Sequence, residues 1–204
     1  MNRKEGGSMK RSKKSSVKTV FTMCVLVCVI FGAFVYFSKR EVEDHSEIIV
    51  EQTEAEKLLS KDITSEYPPT AREVIKLYSR IVKCIHGGEQ LEEEQTTSLG
   101  KLMLNLYSEE LLEKNPQDEY INNLLSEVEE YKSVDREVVS YAIDSGDNVI
   151  EWSDNGDNFS RILATFTLRE ATTYNKTCEE FVLIKNEEGQ WKIHGWQLAD
   201  IEDM

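Results

Sequence analysis

Three histidines are the side chains here best suited to moving a proton near neutral pH, and their positions decide what each can do. His45 lies in an acidic, polar stretch and is expected to be inert. His86 closes a predicted helix, where a cation suits the negative end of the helix dipole, so a capping role is expected rather than catalysis. His194 stands between Ile193 and Gly195 and, on a regular strand, shares a face with Lys192 and Trp196. If Trp191 and Ile193 point into the core, His194 points outward, because strand side chains alternate. The opposite register puts His194 and Trp196 inside, where an acid–base role opens. The outward register is expected, which leaves His194 as a catalytic candidate and assigns no catalytic residue.

The carboxylates offer less. No acid falls clearly on an inward strand position. Asp144, Asp147, Asp154 and Asp157 sit in the turns DSGDN and DNGDN, which lack the spacing of a calcium-binding EF-hand loop. These turns flank a strand of about six residues and so lie about 20 Å apart, too far for one site. Turn chemistry accounts for both. There is no phosphate-binding glycine loop, zinc spacing or nucleophile elbow, and neither metal nor cofactor is expected. Cys24 and Cys28 fall inside an apolar run. Cys84 and Cys178 either form a disulfide, if their Cα atoms come within about 7 Å, or stay two separate buried thiols.

The elements that carry these residues change period midway. Thr70-Ala-Arg-Glu73 matches a capping box, and apolar Val74, Leu77, Tyr78, Ile81, Cys84 and Ile85 follow on one helical face until Gly87-Gly88. Further helices are predicted over about 91–107, 109–114 and 118–132, with Ser108 as a cap. The period then drops to two. Val139, Tyr141 and Ile143 alternate with polar residues. Val149–Trp152 precedes the hairpin signal Asn155-Gly156. Ile162 to Leu168, Phe181–Ile184 and Trp191–Leu198 complete about five strands. Helices first and short-turned strands after predict an α+β domain over 69–204, with the helices covering one face of an antiparallel meander.

Upstream, Thr19–Phe37 is 19 residues long and uncharged. As a helix it covers about 28 Å, close to the roughly 30 Å of a hydrocarbon core. It is longer than a signal-peptide core and lacks a small-x-small cleavage site, so an anchor is expected. Residues 1–40 carry net +8 and residues 41–204 net −22. That asymmetry predicts a basic cytoplasmic tail (1–18), a transmembrane helix (19–37), an acidic stalk (38–68) with a short helix near 54–60, and an extracytoplasmic domain. The partners expected from charge are membrane lipid, at the span and the basic tail, and no nucleic acid, whose phosphates need Lys and Arg. The simplest role for the acidic surface is solubility.

The helical start at Thr70–Ile85 and the closing run EEGQWKIHGWQLAD, a turn followed by a Trp-led last strand, resemble the nuclear transport factor 2-like superfamily over residues 69–200. The plan of span, stalk and outer domain also resembles single-pass membrane proteins of clostridial-type bacteria. The first resemblance implies a cone-shaped α+β fold with an interior pocket, which Tyr78, Tyr107, Tyr141, Phe166 and Trp191 could line or could simply fill as core. It also implies that an enzyme of this kind would work inside the cone, with an acidic general base and Tyr, Asp or His partners. The primary expectation is a non-enzymatic module binding a protein partner or a small ligand. The alternatives are an assembly part of a secretion or conjugation machine and a cone-type isomerase or hydro-lyase.

Overall fold

A computed structural model describes residues 52–199. The basic tail, the expected span Thr19–Phe37, His45, Cys24 and Cys28 lie outside the described residues. Among the described residues no helix is long and apolar enough to cross a membrane. These residues form an α+β unit with all its helices before its strands. The helices are α1 (Glu54–Leu59), α2 (Ala71–His86), α3 (Glu93–Leu104), α4 (Glu109–Lys114) and α5 (Gln117–Ser133). The strands are β1 (Arg136–Ile143), β2 (Ile150–Asp154), β3 (Asp157–Glu170), β4 (Thr173–Lys185) and β5 (Trp191–Ala199), joined in one antiparallel sheet.

Helix α2 starts as its sequence predicts on one side only. The Thr70 hydroxyl accepts from the Glu73 amide at 3.2 Å. The reciprocal half of the expected box is missing, because the Glu73 carboxylate turns along the helix to Lys76 at 3.3 Å and Arg72 at 3.9 Å. Its apolar stripe places Val74, Ile75 and Ile81 in full burial against the sheet. The helix expected over 91–107 stops at Leu104 for a definite reason. The chain turns at residues 105–106 and Tyr107 bridges to β5, with Ser108 N–H donating to Ile193 O at 2.8 Å and Ile193 N–H to Leu106 O at 2.7 Å. A strand edge that would otherwise be open is thereby occupied.

The stalk expected over 38–68 is corrected from Thr53 onward. Thr53 and Glu56 form a reciprocal capping box at α1, and Ala55 and Leu58 are wholly buried in the common core. An ion pair joins Glu54 to Arg80, and the Tyr67 hydroxyl donates to the Trp191 carbonyl at 2.8 Å. Two buried apolar side chains and two tethers bind this segment to the domain.

The strict meander is also corrected. The β2–β3, β3–β4 and β4–β5 hairpins form, and Asn155-Gly156 makes the predicted two-residue turn with φ of 51° and 99°. β1, however, pairs not with β2 but with the far half of β3, so that β1 and β2 lie end to end on one edge. The break is held by Asp144, whose N–H donates to Leu163 O at 3.1 Å and whose carbonyl accepts from Arg72 Nε at 2.8 Å.

Two bulges set which side chains face the helices. Val139 is an extra residue in β1, and His194 an extra residue in β5. An inserted residue shifts the alternation by one step and bends its strand. The inner face consequently carries Val138 together with Tyr141 and Ile143 on β1, Ile162, Ala164 and Phe166 on β3, and Phe181 and Leu183 on β4.

Candidate functional site

Between α2, α5 and the inner face of the sheet lies a cavity of about 220 Å³. Helical spacing builds two of its walls. Tyr78, Val82 and His86 recur every four residues along α2, and Tyr120, Leu124, Glu127 and Tyr131 form one stripe along α5. Met103 and Tyr107 close one end. The sheet contributes Phe166, Leu168, Thr177, Glu179 and Trp196. None of the residues lining this cavity is a lysine or an arginine.

The rings converge. Tyr78 meets Phe181 edge-on at 5.3 Å and Trp196 at 6.1 Å, while Tyr107 lies 5.9 Å from both Trp196 and Tyr120. The Tyr107 hydroxyl donates to the Tyr120 hydroxyl at 3.5 Å, and Tyr120 reaches Met103 Sδ at 3.7 Å. Burial drives the Tyr78 and Tyr107 hydroxyls far above the usual phenol range and raises that of Tyr120, so all three stay protonated. Trp196 sits at the edge of this cluster with 41 % of its surface exposed.

Two carboxylates share the cavity. Glu179 occupies β4 opposite Ala164, in phase with Phe181 and Leu183, and therefore faces the helices. Burial, reinforced by the nearby Glu127 charge, pushes its carboxyl up to about 7. Glu127 sits at the rim, half exposed, and burial followed by the Glu130 charge raises it as well. His86 is 8 % exposed, lies against the Tyr131 ring at 4.5 Å, and places Nε2 3.8 Å from Glu127. Burial pushes its imidazole down to about 4, so it is neutral at physiological pH. Its Nδ1 is buried without a hydrogen-bond partner among the described residues. A buried polar nitrogen left without a partner costs about 1–3 kcal/mol.

The expected site residues divide. Tyr78, Tyr107 and Phe166 line the cavity. Tyr141 does not; it lines a surface depression with Arg80 and Cys84. Trp191 does not either, being 6 % exposed in the core with Lys185 Nζ 5.2 Å above its ring. The cationic cap assigned to His86 is corrected, because its burial removes the charge on which that role depends. His194 points away from the cavity, as the outward register requires. Its Nδ1 is 3.4 Å from Ser108 Oγ and its Nε2 3.6 Å from Glu110. It lies in a wider, open groove of about 710 Å³, whose lysines are already engaged, Lys192 by Asn105 O at 2.9 Å and the Tyr67 ring and Lys185 by the Trp191 ring. Trp196, expected beside His194, is carried to the inner face by the bulge.

Cys84 and Cys178 are separate, buried, free thiols. Cys178 follows Thr177 and precedes Glu179, both cavity residues, so it faces the opposite side of the sheet from α2 and Cys84. Burial pushes the Cys84 thiol up to about 11, which leaves it unreactive.

Glu179, Glu127 and Tyr120 were absent from the sequence-derived candidates. The strand expected at Phe181–Ile184 extends back to Thr173. Counting two residues back from Phe181 places a carboxylate on the core-facing row, a pattern present in the sequence.

A family model described as "Domain of unknown function (DUF6715)" matches residues 9–196, and the chain belongs to that family. No curated protein matches it.

Proposed function

We propose that this protein is a membrane-tethered module whose extracytoplasmic domain takes a small molecule into the cavity between α2, α5 and the sheet. The observation that carries this reading is Glu179: a carboxylate on the core-facing row of β4, in a cavity that also holds a neutral His86 whose Nδ1 has no hydrogen-bond partner among the described residues. A merely structural core gains nothing from such groups, because each buried polar atom costs free energy unless something pairs with it. The size favours a compact ligand, since drug-sized molecules fill pockets of about 300–1,000 Å³. The order of helices before a bulged antiparallel sheet, with the cavity between them, supports a nuclear transport factor 2-like cone. The uncharged run Thr19–Phe37 and its flanking charge asymmetry support the tether and its orientation.

The test is a small-molecule panel scored by the melting-temperature shift of the full chain and of a Thr177→Phe chain, whose larger side chain fills the cavity. Ligands of the cavity raise the melting temperature of the native chain alone. Hits that raise both chains equally overturn the assignment.

One feature favours a second reading, a cone-type isomerase or hydro-lyase. A carboxyl held near 7 beside tyrosine hydroxyls has the acid–base poise such proton transfers need. Turnover that is lost in Glu179→Gln while ligand affinity persists is the result that distinguishes this reading from simple binding.

A further inference from the structure

Given the cavity as the ligand site, on which this step rests, we propose that its ligand is a small organic cation, an alkylammonium head group held between aromatic rings and two carboxylates. Three observations converge on that charge and that shape. First, the walls present Tyr78, Tyr107, Tyr120, Tyr131 and Trp196, whose faces are the negative poles of their quadrupoles and attract cations brought within about 6 Å. Second, the only formally chargeable groups on the walls besides tyrosine are Glu127, Glu179 and His86, and His86 is neutral; no lysine or arginine is present to neutralise the acids. An anionic ligand would meet the Glu127 charge and a partly ionised Glu179 with no donor cation, and a neutral apolar one would leave Glu179 desolvated without return.

Third, the acids are not arranged for a metal. Among the described residues no three His, Cys, Asp or Glu side chains converge on a common ion position. Glu127 stands at the half-exposed rim and Glu179 faces inward from the sheet, and no third ligand joins them. Trp196, partly exposed beside Tyr78 and Tyr107, is the one indole among the lining residues, and indole is the strongest cation-binding ring available to a protein. An ammonium group with short alkyl substituents satisfies all of these together: its methyl groups fill the aromatic walls and its charge answers the carboxylates.

The experiment uses the full chain in a non-ionic maltoside detergent and three probes of nearly equal shape: choline, its neutral analogue 3,3-dimethylbutan-1-ol, and the anion 3,3-dimethylbutanoate. Affinities are measured by titration calorimetry for the native chain, Glu179→Gln and Thr177→Phe. The expected result is choline binding at least about tenfold tighter than the alcohol, no binding of the anion, and a roughly tenfold loss for choline alone in Glu179→Gln. Equal binding of choline and the alcohol, abolished by Thr177→Phe, overturns the cation and leaves the cavity as the ligand site. Tighter binding of the anion does the same. Binding of none, or binding that Thr177→Phe leaves untouched, overturns both. The comparison of probes on the native chain stands even if a variant fails to fold.

Discussion

Trp196 stacks on Phe181 across β5 and β4, ring centroids 6.0 Å apart and 28° from parallel, and it does so because His194 is an extra residue in its strand. Ile193 faces the core, His194 leaves the ladder, and Gly195 faces out opposite Val182. Trp196 therefore returns to the inside. A catalytic candidate in sequence becomes, in structure, the spacer that delivers an aromatic ring to the cavity.

Deleting His194 is therefore expected to be tolerated, at a cost of about 1 kcal/mol, since Ile193, Gly195 and Trp196 would then alternate regularly and keep their faces. The loss comes from its contacts to Ser108 and Glu110. Urea unfolding followed by tryptophan fluorescence checks this. A deletion that abolishes folding would show that the bulge itself, and not the facing of Trp196, is what the fold requires.

Stability should depend on pH through two cavity groups of opposite sign. Glu179 holds its proton up to about 7 when folded, whereas an unfolded chain releases it near the usual glutamate value of about 4.3. Between those values the folded state binds the extra proton, so raising pH lowers stability. His86 behaves inversely: folded it stays neutral down to about 4, while unfolded it charges below about 6.5, so lowering pH through that window lowers stability. The facing groups are Glu127, Glu130, Tyr78, Tyr120 and Tyr131, with Arg136 over the Tyr131 ring. Glu179→Gln is expected to stabilise the protein by about 1–2 kcal/mol at pH 8, after discounting for partial exposure, and by little at pH 5. Denaturant midpoints at the two pH values measure it, and an equal effect at both would refute the buried acid.

At Gly100 α3 packs directly on side chains of α5. A Cβ built there would lie 2.7 Å from both Ile121 Cδ1 and Leu124 Cδ2. Gly100→Ala gains about 1 kcal/mol of helix propensity and incurs about 1–3 kcal/mol of overpacking, so a net loss of about 1 kcal/mol is expected. Because Leu124 shares its stripe with Glu127, ligand affinity should weaken with it. A more stable variant would mean the two helices separate freely.

Much of the fold was legible in the sequence, and most of the failures share one origin. Thr70, Ser108 and Asn155-Gly156 act locally, and each fixes its element where expected. The change of period from 3.6 to two located the sheet. What could not be read were effects of partners distant in sequence. The helix expected to reach residue 107 gives way at Leu104 because Ile193 pairs with the chain there. The acidic composition of residues 54–68 reads as a solvated tether, yet Ala55 and Leu58 find a core built elsewhere. Bulges at Val139 and His194 carry no signature, since one inserted residue alters no composition and shifts every face beyond it. Glu179 was missed for a simpler reason: a strand drawn too short stops before the residue that matters.

β1 and β2 lie end to end along β3, and a divided edge opens in halves. The five residues of β2 are all exposed, and its ladder to β3 ends at Ile150 and Arg161, before the one β1 makes from Ile143 onward. Amide protons of β2 can then exchange with solvent through a local opening that leaves Val138 and its neighbours shut. A cut or an inserted segment between residues 144 and 149 would fall at the joint between two units of different lifetime, the place where this sheet is easiest to lengthen without disturbing the cavity on its other half.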